Sequence, residues 1–187
     1  VTDKKYELIY CDPPWKFSNK KTGGSMASGA ANQYIVTSTS DLKRLDVESL
    51  CADNCVLIMW WVGAMPQDAI DLVNSWGFTL KNMNGFVWDK LTVKLLKFFG
   101  MGFWTRAGSE SAIIATKGKP KPASHSVRAV HSCVVGKHSQ KPDKFRQLAV
   151  ELCGDVPRLE MFAREAHEGW DVFGNEAPNS IEIGMKP

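Results

Sequence analysis

Apolar runs of strand length alternate with helical stripes along almost the whole chain, and that alternation narrows the fold more than any other feature. Runs bounded by turn residues occur at Tyr6–Tyr10, Cys55–Val62, Gly85–Trp88, Ser111–Thr116, Val130–Val135 and Leu159–Ala163, and are read as strands. Between them, Ser40 opens SDLKRLDVESL as a capped helix, and Ala69, Leu72, Val73 and Trp76 recur at i, i+3, i+4, i+7 before Gly77 stops the turn. A third helix starts at Pro142, whose missing N–H costs nothing in the first turn. It buries Phe145, Leu148, Ala149 and Leu152 and ends at Gly154. Buried strands alternating with such helices predict an α/β sandwich with a mostly parallel sheet. In that architecture ligands bind beyond the carboxyl ends of the strands.

The 187 residues are read as one domain, 1–187, since single cores divide only at greater length. With 44% hydrophobic and 23% charged residues the chain can bury a core, which excludes disorder and collagen-like repeats. No apolar run approaches the about 18 residues of a membrane span, and VTDKKYELIY lacks a signal-peptide pattern. A soluble, cytoplasmic protein with no membrane partner is expected, in a bacterial or phage-infected cell. Five scattered cysteines favour reduced thiols. Cys51 and Cys55 lack a second ligand pair, so plain packing is expected there rather than a metal. The net charge of +3 is uneven, with twelve Lys or Arg against three acids between Asp89 and Arg146. Such a run suits a solvated face. Interleaved with Phe98, Phe99, Phe103 and Trp104, it also suits a polyanion carrying stackable bases.

The first strand runs into Cys11-Asp12-Pro13-Pro14-Trp15, placing an acid, two rigid residues and an indole at the ligand-binding edge. The prolines have fixed φ and no N–H, so the turn offers acceptors only, the Asp12 carboxylate and the proline carbonyls. An exocyclic amine of adenine or cytosine has two hydrogens to give, and Trp15 offers a face for the same base. Drawing both hydrogens toward acceptors returns the delocalised lone pair to nitrogen, which makes methyl transfer from a cationic sulfonium feasible. A rigid turn over a core tryptophan is the plainer reading of the same letters.

D-P-P-W after an apolar strand, LIMWW with Trp60, FVWDK with Trp88, GFWTRAGSESAIIATKG, HSQKPD, LEMFARE and WDVFGNE occur here in the order in which they recur in one family. From Tyr6 to Glu176 the chain resembles the METTL-type adenine N6-methyltransferases, and more particularly their bacterial and phage members. The resemblance implies a Rossmann-like methyltransferase fold with permuted motif order, catalytic motif first, and S-adenosylmethionine as donor. It implies that Asp12, Pro13, Pro14 and Trp15 hold the target adenine, with Asp12 also near the methionine part of the cofactor. Lys141 would meet a carboxylate, such as the donor's own. Met161 and Arg164 of LEMFARE, with His167 and Glu168, would lie at the cofactor ribose, and Asn175 and Glu176 at its adenine. Lys16 and Tyr34 in one irregular loop, Trp104 and Arg106 in another, and Trp60 and Trp88 would contact substrate.

The expected activity is therefore methylation of adenine N6 in nucleic acid, DNA before RNA. Cytosine N4 methylation and a silent, nucleic-acid-binding or scaffold member are the alternatives. A homodimer or a partner subunit stays open.

Overall fold

The computed structural model describes residues 4–15, 38–136, 140–174 and 176–186. Seven strands form one sheet: β1 (Tyr6–Cys11), β2 (Cys51–Trp61), β3 (Thr79–Leu91), β4 (Ser109–Lys117), β5 (Val130–Val134), β6 (Arg158–Met161) and β7 (Asp171–Phe173). Their order across the sheet is β5-β3-β4-β2-β1-β6-β7. Among the described residues three α-helices join them: α1 (Thr39–Arg44), α2 (Pro66–Ser75) and α3 (Asp143–Cys153).

Alternate residues of the central strands feed opposite faces, as the pleat requires. Ile9, Cys11, Leu57, Met59, Ile113 and Ala115 pack with Leu42 of α1 and with Ala69, Leu72, Val73 and Trp76 of or beside α2. Leu8, Tyr10, Ile58, Trp60, Phe86, Trp88 and Ala112 pack with Phe145, Leu148 and Ala149 of α3 on the other face. Each large side chain so buried stabilises the fold by about 2 kcal/mol. The result is a three-layer, Rossmann-like sandwich.

The sheet departs from the expected direction at one strand. β5–β3, β2–β1, β1–β6 and β6–β7 pair in parallel, whereas β4 runs antiparallel to both β3 and β2. The cause lies in the connections. β2 reaches β3 through the α2 crossover and so keeps its direction, but no helix lies between Leu91 and Ser109, and a chain that turns back without a crossover must pair antiparallel. β4 thus fills the gap between two strands that run the same way.

Other boundaries also shift. Ser38, not Ser40, caps α1: its hydroxyl accepts from the Asp41 N–H while the Asp41 carboxylate accepts from the Ser38 N–H. That helix stops at Arg44, and a separate 3-10 turn, Glu48–Leu50, leads into β2. β3 runs well beyond Gly85–Trp88, and β7 lies in the WDVFG segment, where only three residues pair. The stretch from Asp89 to Arg106 is less irregular than its composition suggests. β3 continues to Leu91, and Phe98 then donates back to the Lys90 carbonyl at 3.0 Å while Gly100 and Ala107 exchange backbone hydrogen bonds. The segment is a folded arm at the carboxyl end of β3.

No helix among the described residues is long and apolar enough to cross a membrane.

Candidate active site

A cleft of about 1010 Å³ opens where β1, β2 and β6 end, where β4 begins, and where the 98–107 part of the arm stands. β1 delivers Asp12, Pro13, Pro14 and Trp15 to it. The Trp15 N–H donates to the Pro13 carbonyl at 2.8 Å, closing a three-residue turn, and the Trp15 indole N–H donates to the Trp60 carbonyl at 3.0 Å. The turn is therefore pinned to the end of β2. Trp15 is only 7% exposed, so its ring serves the core and offers the cleft a limited surface.

Asp12 is the head of a chain of alternating charges. Its Oδ2 accepts from Lys141 Nζ at 2.7 Å, Lys141 also meets Glu110 Oε2 at 3.1 Å, and Lys90 bonds Glu110 Oε1. Lys141 is nearly buried and lies 5.4 Å from the Trp60 ring centroid. Lys90 stands 4.9 Å over Trp88 and 5.7 Å from Phe98 of the arm. Burial works against the Lys141 charge, but Asp12 and Glu110 outweigh it and hold the ammonium above its ordinary pKa. Burial likewise works to raise Glu110, yet Lys141 and Lys90 keep it below the usual carboxylate range. Lys141 and Glu110 therefore both stay ionised near neutral pH.

A second buried pair forms the other side of the floor. Arg146 of α3 donates through Nε to Glu160 Oε2 at 2.7 Å and through Nη1 to Asp143 at 2.5 Å. Burial raises Glu160 above the usual carboxylate range despite Arg146. His167 Nε2 sits 4.0 Å from the same carboxylate oxygen. It is buried and has no hydrogen-bond partner among the described residues. Tyr10 lies between the two clusters, its hydroxyl accepting from the Trp60 indole at 2.7 Å.

The cleft brings together Asp12, Pro13, Pro14, Trp15, Trp60, Lys141 and Arg164 among the residues singled out in the sequence. Others lie elsewhere. Trp88 is 2% exposed, with its indole bonded to the Cys133 carbonyl, because its place in β3 points it at α3; it is a core residue beneath the site and offers no contact surface. Met161 is buried for the corresponding reason, pointing from β6 to the opposite layer. His167 stands behind Glu160 rather than in the lining, Glu168 and Glu176 are exposed outside it, and Trp104 and Arg106 are exposed on the arm. Lys16, Tyr34 and Asn175 lie outside the described residues. Lys141 finds its carboxylates within the protein, Asp12 and Glu110, rather than needing one from a ligand. Sequence reasoning missed Glu110, Glu160 and Arg146. Their signal was present: an acid in the apolar strand LEMFA, and an Arg on the buried stripe of α3, must be paired if the fold is right.

The residues present fit S-adenosylmethionine. Carboxylates at Asp12 and Glu160 suit its cationic and hydroxyl groups, the orphaned His167 nitrogen shows polar capacity unused behind Glu160, and the volume accommodates a nucleoside-sized ligand beside a base. A mixed Rossmann-like sheet with an acid at the end of β1 and aromatic walls around it is an arrangement suited to a nucleotide.

The MT-A70 family model matches residues 6–176, and the chain belongs to that family. The type II methyltransferase M.MunI of a Mycoplasma species is 34% identical over 96% of this chain and 82% of its own length. Human METTL4, an N6-adenine-specific methyltransferase, is 24% identical over 92% of this chain and 38% of its own length. The N6-methyladenosine RNA methyltransferase MTA1 of Pyricularia oryzae is 26% identical over 91% of this chain and 46% of its own.

Proposed function

We propose that this MT-A70 protein is an adenine N6-methyltransferase that takes its methyl group from S-adenosylmethionine and acts on DNA. The observation that carries the reading is Asp12: a carboxylate at the mouth of β1, in the cleft, with Oδ2 fixed by Lys141. Oδ1 is an acceptor for one amine hydrogen, and the stiff Pro13-Pro14 backbone offers carbonyl acceptors for the other. S-adenosylmethionine, when bound, supplies an electrophilic methyl on its sulfonium. Asp12 draws the amine lone pair back toward nitrogen and is placed to receive the proton lost after transfer. Lys141 and Glu110 hold that carboxylate in one orientation, and Trp15, Trp60 and Phe162 exclude water around it. Asp12, Glu160 and Arg164 are the residues that would hold the cofactor. DNA is preferred over RNA because the likeness is greater, and covers more of the relative, for the type II methyltransferase M.MunI than for the protein named as an RNA methyltransferase.

The test is incubation with labelled S-adenosylmethionine and single- or double-stranded DNA and RNA oligonucleotides, followed by digestion to nucleosides. N6-methyldeoxyadenosine that disappears in Asp12→Ala is the expected result. Product only on RNA, only on cytosine, or on nothing at all would overturn the reading in its respective part.

A further inference from the structure

Trp104 is the most exposed large side chain of the described protein, at 106% relative accessibility. Its backbone has φ 63°, a left-handed conformation that bulky residues rarely adopt. The surrounding structure fixes that conformation. Gly100 and Ala107 are joined by two backbone hydrogen bonds, and the Thr105 N–H donates to the Phe103 carbonyl at 2.6 Å. A Cβ on Gly102 would lie 2.4 Å from the Thr105 carbonyl oxygen, so the turn closes tightly on itself. Phe103 and Thr105 both line the cleft, and Trp104 between them stands outside it. The tip thus carries one half-exposed aromatic residue in the cleft lining and one projecting from the rim. The flank is basic: the Arg106 guanidinium lies 4.9 Å over the Phe99 ring, and Lys94 stands on the same arm.

An outward indole carried on a hydrogen-bonded backbone turn at the rim of a base pocket, on a cationic support, is complementary to a gap in a base stack. Apolar side chains inserted between bases stabilise a duplex that has lost one, and an adenine must leave the stack before Asp12 can reach its amine. We propose that Trp104 is a wedge that occupies the space vacated by the target adenine in duplex DNA. This inference rests on the adenine methyltransferase reading above and adds the substrate form, a double strand, and the residue that opens it.

The experiment compares wild type, Trp104→Ala and Trp104→Phe on the adenine that wild type methylates, in single strands, in duplexes, and in duplexes with a pyrene nucleotide opposite that adenine. Pyrene fills the vacated space without the protein. Trp104→Ala is expected to lower the duplex-to-single-strand rate ratio about tenfold or more, Trp104→Phe to lower it less, and pyrene to restore most of it. Equal loss on both strand forms, no rescue by pyrene, or a wild type active on single strands alone would overturn the wedge while leaving the methyltransferase standing. So would a wild-type dimer that Trp104→Ala dissociates in sedimentation with the rate ratio unchanged, which would make Trp104 a contact between chains. A wild type that methylates no oligonucleotide fails at the earlier step and takes the wedge with it.

Discussion

Lys141 shows why a single side chain can matter to both stability and chemistry. It is nearly buried and satisfies two carboxylates, so Lys141→Met would leave Asp12 without its ammonium partner and Glu110 with Lys90 alone. Breaking a buried pair from one side is costly, and since Asp12 and Glu110 are partly solvated the expected loss is about 2 kcal/mol, measured by chemical denaturation. Methylation is expected to fall about 100-fold or more, because Asp12 would lose its fixed orientation. Glu110→Gln separates a different effect. Glu110 is held below the usual carboxylate range in the fold, so it stabilises the protein above the unfolded value of about 4.3 and ceases to as pH falls through its lower folded value. Wild type is therefore expected to exceed Glu110→Gln in stability at pH 7, with the gap closing below about pH 4. The sequence makes Asp12 to Trp15 visible because four unusual residues are contiguous. Glu110 meets Lys141 across 31 residues of chain, and Lys90 meets Glu110 across 20, which no local pattern encodes.

The elements read from periodicity are those whose apolar stripe is long. α3 announces itself by Phe145, Leu148 and Ala149, all buried, and β1 and β2 by continuous apolar runs. Strand direction carries no periodic signal, which is why the reversal of β4 is seen only in the structure. β7 is three residues long and too short to show a period. The β3–β4 pair holds a further feature at this scale. The register shifts between Asn82 and Phe86, and a Cβ on Gly85 would lie 2.3 Å from Ile114 Cγ1, so the bulge lets β3 approach β4 only where no side chain intervenes. Gly85→Ala is expected to cost about 1–3 kcal/mol by overpacking. Ile114→Ala removes the nearest atoms of the clash, so the double variant should be less destabilised than the two single costs summed, by about 1 kcal/mol in a denaturation cycle. Additive costs would mean that the strain at Gly85 lies in its backbone.

At the scale of the whole molecule, the basic segment of the sequence divides into two groups in space. β4 runs away from the cleft, from Ser109 beside it to Lys117 opposite Cys55 at the far end of β2, so Lys117, Lys119 and Lys121 sit at the end of the sheet remote from Asp12. Lys90, Lys94, Lys97, Arg106 and Lys141 belong to the cleft end, but Lys90 and Lys141 are occupied by the carboxylates of Glu110 and Asp12 and Lys97 pairs with Asp89 at 2.5 Å. Charge counted along the chain therefore overstates what one strand of nucleic acid could meet. Exposed lysine and arginine neutralise phosphates and release counterions, and each such contact steepens the salt dependence of binding by about one in log–log slope. Lys94→Gln and Arg106→Gln are each expected to flatten that slope by about one, as read from DNA affinity between low and physiological salt. Lys119→Gln with Lys121→Gln should leave it unchanged, since a duplex seated over the cleft does not pass the opposite end of the sheet. A slope that responds instead to Lys119 and Lys121 would place the nucleic acid along the sheet's far edge and separate binding from the Asp12 cleft.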